Sequence, residues 1–322
     1  MQIMSRALIT GISGFAGQHL ATYLQSKNIE VVGTFLNTGI NTECGIKVYK
    51  CDINDKQQVD YVLKDYKPDY IFHLAGPSFI ADAWEREEDM FQTINYGTKI
   101  LLQSASSYAH NSSLLYVSSA DVYGDFCELN LPLTEITSPR PTNPYGYAKA
   151  CTELLCLEYA KKFDLKIVIA RPFNHTGPGQ KEHFFCPSMA KQINSISKGF
   201  SKPRVSIGNL EVERDFLDVR DVVSAYFDLA TKGNKGQIYN ICSGKTIKLK
   251  HILDYMLVKL KLHEEVSIDI DPAKIRKDEK AKIVGNSEKI SKEIGWAPVY
   301  EFESTLDSLL EYWGNNLARD SK

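Results

Sequence analysis

No uncharged apolar run in this 322-residue chain approaches the ~18 residues needed to span a bilayer. Excess charge is missing too: 38 Lys and Arg against 40 Asp and Glu leave a formal net charge of -2. A balance so near neutrality gives no bulk positive field for nucleic acid or an anionic membrane surface, and neither partner is expected. No CxxC pair and no metal-ligand spacing occurs among the seven cysteines (Cys44, Cys51, Cys127, Cys151, Cys156, Cys186 and Cys242). Their odd number and scatter imply reduced thiols, most of them small core fillers, and so a cytoplasmic protein. Met1 to Arg6 lead straight into an apolar strand, so a signal peptide is not expected. Internal repeats and low-complexity tracts are absent as well. The length allows one large α/β domain, or a domain and a half, with ample core.

What is present alternates between strand and helix. Ala7-Leu8-Ile9-Thr10, Val31-Val32-Gly33, Lys47-Val48-Tyr49 (ending at Asp52), Tyr70-Ile71-Phe72-His73-Leu74, Leu114-Leu115-Tyr116-Val117 and Ile167-Val168-Ile169-Ala170 read as strands. Several are almost wholly apolar, as strands buried on both faces should be. Helical patterns separate them, including a long helix over residues ~88–109. The spacing predicts an α/β fold, a Rossmann-type doubly wound parallel sheet with right-handed crossovers. Residues ~172–215 are rich in Pro, Gly, Asn and Lys and read as long loops around a short helix, and the segment from ~246 onward is charged and helix-rich. The expected division is a dinucleotide-binding domain of residues 1–171 and 216–244 with a smaller C-terminal substrate-binding lobe of residues 172–215 and 245–322, the cleft lying between them.

Gly11, Gly14 and Gly17 fall at the first strand-to-helix turn, in Thr10-Gly11-Ile12-Ser13-Gly14-Phe15-Ala16-Gly17. Glycines there let the backbone turn tightly and approach a pyrophosphate, whose charge a helix N-terminus favours. Glycines in such turns also serve plain packing; the location within ~20 residues of the N-terminus is where a dinucleotide fold places the motif. Asp52 is placed either to accept from an adenine amino group or to cap the helix after Asn54-Asp55. For the ribose 2′ position, Gly33-Thr34-Phe35-Leu36-Asn37 offers neither an acid for a free hydroxyl nor an arginine for a phosphate. NADPH and NADH therefore stay equally open.

Downstream come Ser119, in Val117-Ser118-Ser119-Ala120-Asp121-Val122-Tyr123-Gly124, and Tyr145 and Lys149, in Pro144-Tyr145-Gly146-Tyr147-Ala148-Lys149. A tyrosine with an ordinary pKa of about 10 needs a nearby ammonium to work near neutrality. Lys149, one helical turn on, is placed to lower that pKa and to reach the nicotinamide ribose. Ser119 is placed to donate to a substrate oxygen as charge develops there. Hydroxyl, phenol and ammonium together suit carbonyl/alcohol redox chemistry. His175 and His183 lie in a Gly-Pro-Gly loop without a third ligand, so they read as loop histidines and no metal is expected. Lys274 to Lys282 reads as a solvated basic face.

Taken together, these residues resemble the extended short-chain dehydrogenase/reductase family over nearly the whole chain. Within it the resemblance is to bacterial reductases of GDP-4-keto-6-deoxy-D-mannose. It is carried by Phe72-His73-Leu74-Ala75-Gly76-Pro77-Ser78 with Trp84, by Ser118 to Gly124, by Ala170-Arg171-Pro172-Phe173-Asn174-His175-Thr176-Gly177-Pro178-Gly179-Gln180, by Gly208-Asn209-Leu210 with Arg214 to Val219, and by Asp271 to Glu279. The resemblance implies that Phe15, Ile53, Leu74 and Ala75 join the glycines, Asp52 and Lys149 around the coenzyme. It implies that Asn174, Lys191, Asn209, Arg214, Arg276 and Glu279 grip the GDP moiety, where an arginine is a forked, permanently charged donor for a diphosphate. Ser78 would lie near the sugar. A homodimer is implied too, pairing the ~88–109 helix with the helix of Tyr145. Leu36 stands where many GDP-sugar members carry an arginine.

The leading expectation is an NAD(P)-dependent nucleotide-sugar oxidoreductase that reduces the C4 keto group of a GDP-linked 4-keto-6-deoxy sugar, giving GDP-D-rhamnose or its C4 epimer. A GDP-mannose 4,6-dehydratase is the rival: relatives of that type place a glutamate where Asp121 stands, so Asp121 is a candidate catalytic carboxylate. A C4 epimerase and a non-catalytic dinucleotide sensor on the same fold remain as further readings.

Overall fold

The computed structural model describes residues 5–36, 45–78, 83–126, 131–275 and 280–320. Its centre is a seven-stranded sheet. In chain order the elements are β1 (Arg6–Thr10), α1 (Phe15–Ser26), β2 (Glu30–Phe35), β3 (Lys47–Lys50), α2 (Lys56–Tyr66), β4 (Tyr70–His73), α3 (Glu87–Met90), a π-helical segment (Phe91–Gly97), α4 (Thr98–Tyr108), β5 (Ser113–Val117), α5 (Pro144–Lys162) and β6 (Lys166–Pro172). Then follow β7 (Asn174–Thr176), α6 (Phe185–Ser197), β8 (Arg204–Ile207), β9 (Glu213–Arg214), β10 (Phe216–Asp218), α7 (Val219–Lys232), β11 (Ile238–Ile241), β12 (Ile247–Lys248), α8 (Leu249–Lys259), β13 (Ser267–Ile270), β14 (Lys282–Ile283), α9 (Glu288–Ile294) and α10 (Phe302–Asp320).

The large sheet runs β3-β2-β1-β4-β5-β6-β11, every neighbouring pair parallel. The strand order reverses beside β1, so the crossovers from β1 and β4 diverge and open a crevice at their carboxyl ends. Helices cover both faces, which explains the continuous apolar strands. One face packs Leu20 and Leu24 of α1, Val222 and Tyr226 of α7, and Ile290 of α9. The other packs Val59 and Leu63 of α2, Leu101 of α4 and Cys156 of α5.

A further core lies outside the sheet, where Met189 and Ile193 of α6 meet Leu253 and Met256 of α8, Leu306 and Leu309 of α10 and Val205 of β8. Here the structure is more regular than the loop-rich reading of residues ~172–215, because α6 alone has 13 residues and buries one face. The helix expected over ~88–109 is also different: its middle, Phe91–Gly97, is π-helical. The wider turn points Asn95 at α5, where its Nδ2 donates to the Ala148 carbonyl at 3.0 Å and to Thr152 Oγ1 at 2.8 Å. Gly97 then fits against Ile53, whose Cγ2 lies 2.6 Å from where a Cβ would be.

Candidate active site

The crevice is built first by the glycine turn. Gly11 has φ +73°, and a Cβ there would stand 2.9 Å from the backbone of Ala75, so the turn from β1 and the chain leaving β4 touch main chain to main chain. A Cβ on Gly17 would lie 2.6 Å from the Gly11 carbonyl. The turn is also tied to β2, since Gly11 N and Ile12 N donate to the Thr34 carbonyl at 3.1 and 3.2 Å. Gly14 caps α1 without a side chain. The first-turn N–H groups beside Phe15 therefore face the crevice with no side-chain acceptor, a cradle suited to a pyrophosphate. Leu74 and Ala75 form its opposite wall.

His73, at the end of β4, braces that wall. Its Nδ1 pairs with Thr10 Oγ1 at 2.7 Å and its Nε2 with Thr98 Oγ1 at 2.8 Å, joining β1, β4 and α4. Burial, with Lys149 adding to it, pushes its pKa down to about 3, so the ring is neutral. The available signal was a histidine ending an otherwise apolar strand. Asp52 lies at the carboxyl end of β3, where Oδ1 accepts from Asn54 N at 2.9 Å. It does not cap α2; Asp55 does, accepting from Gln57 N and Gln58 N at 2.9 and 3.2 Å. Ile53 is buried beside it.

Ser119, Tyr145 and Lys149 converge at the end of β5, each buried. Ser119 caps a single 3-10 turn, Ala120–Val122. Asn143 caps α5 by accepting from Gly146 N at 2.8 Å, with Pro144 opening the helix. A Cβ on Gly146 would come within 2.7 Å of the Asp121 carbonyl, so a glycine at that position lets α5 press against the turn and bring Tyr145 to Ser119.

The set has two further features. Burial first, and then the Asp121 carboxylate, push the Tyr145 pKa above its ordinary value, while its hydrogen bond with Ser119 works against them. The Lys149 ammonium donates to the Val117 carbonyl at 2.7 Å and lies 5.7 Å from the Tyr145 ring centre. Burial pushes Lys149 itself down to about 8. Second, the Ser119 hydroxyl donates to Asp121 Oδ2 at 2.8 Å while accepting from Asp121 N at 3.1 Å. Its proton is thus directed at Asp121 rather than at open crevice.

Beneath this cluster lies a buried ion pair. Arg171 of β6 donates from Nε and one terminal nitrogen to the two oxygens of Glu153 of α5, at 2.9 and 2.6 Å, and Ser118 donates to Glu153 Oε1 at 2.5 Å. One carboxylate therefore joins β5, α5 and β6.

The residues assigned to GDP are only partly gathered. Gly208 touches Lys274, whose carbonyl would be 2.6 Å from a Cβ there, so the Gly208-Asn209-Leu210 and Asp271–Lys274 stretches are neighbours. Asn209 accepts from Glu211 N at 3.0 Å, and Arg214 donates to the carbonyls of Glu213 and Lys280, both at 2.9 Å. Lys191 is ion-paired with Glu182. Asn174 and Ser78 are exposed. Arg276 and Glu279 lie outside the described residues. His175 stacks on Phe15, ring centres 6.1 Å apart, and His183 packs on Phe184 at 4.5 Å. Among the described residues no group of three or more His, Cys, Asp or Glu could hold a metal ion.

A doubly wound sheet with a glycine turn at its reversal point and a buried Ser-Tyr-Lys set at its carboxyl edge defines the class as the extended short-chain dehydrogenase/reductases, nicotinamide-dependent oxidoreductases. Within that class, the family model described as GDP-mannose 4,6 dehydratase matches residues 8–309, and the chain belongs to that family. It is 32% identical over 315 residues to the GDP-6-deoxy-D-mannose reductase of Pseudomonas aeruginosa, covering 98% of this chain and 99% of that protein. To the GDP-6-deoxy-D-talose 4-dehydrogenase of Aggregatibacter actinomycetemcomitans it is 29% identical, covering 97% and 98%. Among solved structures, that of RMD from Pseudomonas aeruginosa complexed with NADPH superposes with a TM-score of 0.86 at 32% identity, covering 98% of this chain and 99% of that one.

Proposed function

We propose that this chain reduces the C4 keto group of GDP-4-keto-6-deoxy-D-mannose, with NADPH or NADH, to GDP-D-rhamnose or its C4 epimer. The observation that carries the reading is the convergence of buried Ser119, Tyr145 and Lys149 at the end of β5, beside a glycine turn that fits a dinucleotide. Bound reduced nicotinamide supplies a hydride to C4. The chain must then supply one proton to O4; the Tyr145 phenol carries it, and because burial makes that phenol a weaker acid, the step depends on nearby positive charge as the phenolate forms. Turning the Ser119 hydroxyl from Asp121 toward the sugar adds a second donor as charge grows on O4. Lys149, charged below about pH 8, keeps a positive charge under the ring of Tyr145 as its proton leaves.

The lobe of residues 172–215 and 245–322 is our candidate for holding GDP against the domain of residues 1–171 and 216–244. Asn174, Asn209, Arg214, Arg276 and Glu279 would contact the nucleotide, and Lys191 would do so on release from Glu182. A homodimer is supported by Tyr96, Tyr147 and Leu154, which stand exposed on the π segment and α5. Five free thiols among the described residues suit a reducing cytoplasm. A second reading, GDP-mannose 4,6-dehydratase, is favoured by one observation: Asp121 places a carboxylate at the mouth of the site, 2.8 Å from Ser119 Oγ.

Two assays on the purified chain separate them. Consumption of NADPH or NADH in step with loss of GDP-4-keto-6-deoxy-D-mannose supports the reductase, and Tyr145→Phe should abolish most of it. Keto sugar formed from GDP-mannose without added reductant overturns the reductase in favour of the dehydratase, with Asp121 as its carboxylate.

A further inference from the structure

The end of β2 lacks a group for the ribose 2′ position, since Leu36 follows Phe35 where an acid or an arginine would decide the coenzyme. The parallel register supplies a candidate from the next strand. Phe35 is aligned with Lys50, and the Phe35 carbonyl accepts from Cys51 N at 2.8 Å, so Lys50 ends β3 directly beside the end of β2. Side chains along a strand alternate between faces. Tyr49 and Cys51 belong to the core under α2, whereas Val48 packs into the core under α1. Lys50 shares the face of Val48 and thus looks toward α1, onto whose N-terminus the glycine turn leads. Gly33, aligned with Val48, lies against Ile12 of that turn, with a Cβ position 2.3 Å from Ile12 Cγ2. Glycine turn, β2 end and Lys50 are therefore consecutive neighbours on one face.

Lys50 is also available. Lys47 on the same strand is held by Asp65 at 3.2 Å and lies over the Tyr49 ring, but the exposed Lys50 ammonium has no ion pair or hydrogen bond among the described residues. A flexible four-carbon stem readily spans the ~4.8 Å between adjacent strands. The geometry points to Lys50 as the residue that receives the 2′-phosphate of NADPH, giving the chain a preference for NADPH over NADH. This rests on the glycine turn holding a dinucleotide.

Calorimetric titration of the full chain with NADPH and with NADH, without sugar, tests it. Wild type should bind NADPH about tenfold more tightly than NADH, about 1.4 kcal/mol. Lys50→Ala should remove that factor from NADPH and leave NADH within about twofold. Lys50→Glu should reverse the order, and added salt should weaken NADPH binding more in wild type than in Lys50→Ala. Equal wild-type affinity for both coenzymes, unchanged NADPH affinity in Lys50→Ala, or equal weakening of both would overturn the assignment. If folded wild type binds neither, the dinucleotide reading fails with it; NADH binding without discrimination leaves that reading standing and removes only Lys50.

Discussion

Neutralising Glu153 isolates the part of the site that never meets substrate. The Glu153–Arg171 pair is 2.6 Å long at its shorter contact, and both side chains are within 3% of complete burial. In Glu153→Gln the guanidinium keeps its surroundings but loses its counter-charge, and breaking a buried pair on one side costs about 3–5 kcal/mol. Against a total stability of roughly 5–15 kcal/mol that is a large fraction, readily measured by urea unfolding. A paired control is Glu288→Gln, because the Glu288–Lys292 pair is 61% and 72% exposed and, screened by solvent, should contribute almost nothing. The double variant Glu153→Met with Arg171→Met removes both charges and keeps volume, and should recover most of the loss. Activity reports the same link, since Glu153 is one of two groups, after Cys156, that raise the Lys149 pKa against burial. The alkaline limb of the Glu153→Gln pH profile should therefore move to lower pH. A Glu153→Gln cost no larger than that of the Glu288 control, or a double variant as unstable as the two single changes summed, would refute the reasoning.

Wild-type kcat/KM for reduction should fall as pH rises through about 8, because Lys149 carries its charge below that value and loses it above; a profile flat to pH 10 would show that the charge is not needed. Gly146→Ala forces a methyl to within 2.7 Å of the Asp121 carbonyl and must move α5 off the 3-10 turn. We expect kcat to drop at least about tenfold with secondary structure intact, since small misplacements of reacting groups are costly; circular dichroism and initial rates check it, and an unchanged kcat would contradict the close contact.

Local pattern made much of the sheet legible. Apolar strands such as Tyr70–His73 and Ser113–Val117 announce burial on both faces, and the glycine turn and the Tyr145/Lys149 spacing are one-dimensional signals. The rest depended on neighbours distant in sequence. Lys149 finds the Val117 carbonyl 32 positions away, which no helical spacing reveals. The rise in Tyr145 pKa comes from burial and from Asp121, both products of how α5 lands on the 3-10 turn. Asp52 and Asp55 are equally good caps on paper; the chain's path into α2 chose Asp55. The π segment answers to the fit of Gly97 against Ile53 and of Asn95 against α5, contacts absent from any local propensity. Lys50 became visible only once β3 was registered against β2.

The bond between Thr10 and His73 spans 63 positions. During synthesis the first crossover emerges long before its opposite wall, so the nascent chain carries a glycine turn with nothing to rest Gly11 against. Ala75 must arrive, and β4 must dock beside β1, before the crevice has two sides. Coenzyme can therefore reward only chains that have already closed this long loop, and its free energy is linked to folding past residue 75. Bound coenzyme would thus raise the unfolding midpoint of the whole chain, not only of the segment that touches it.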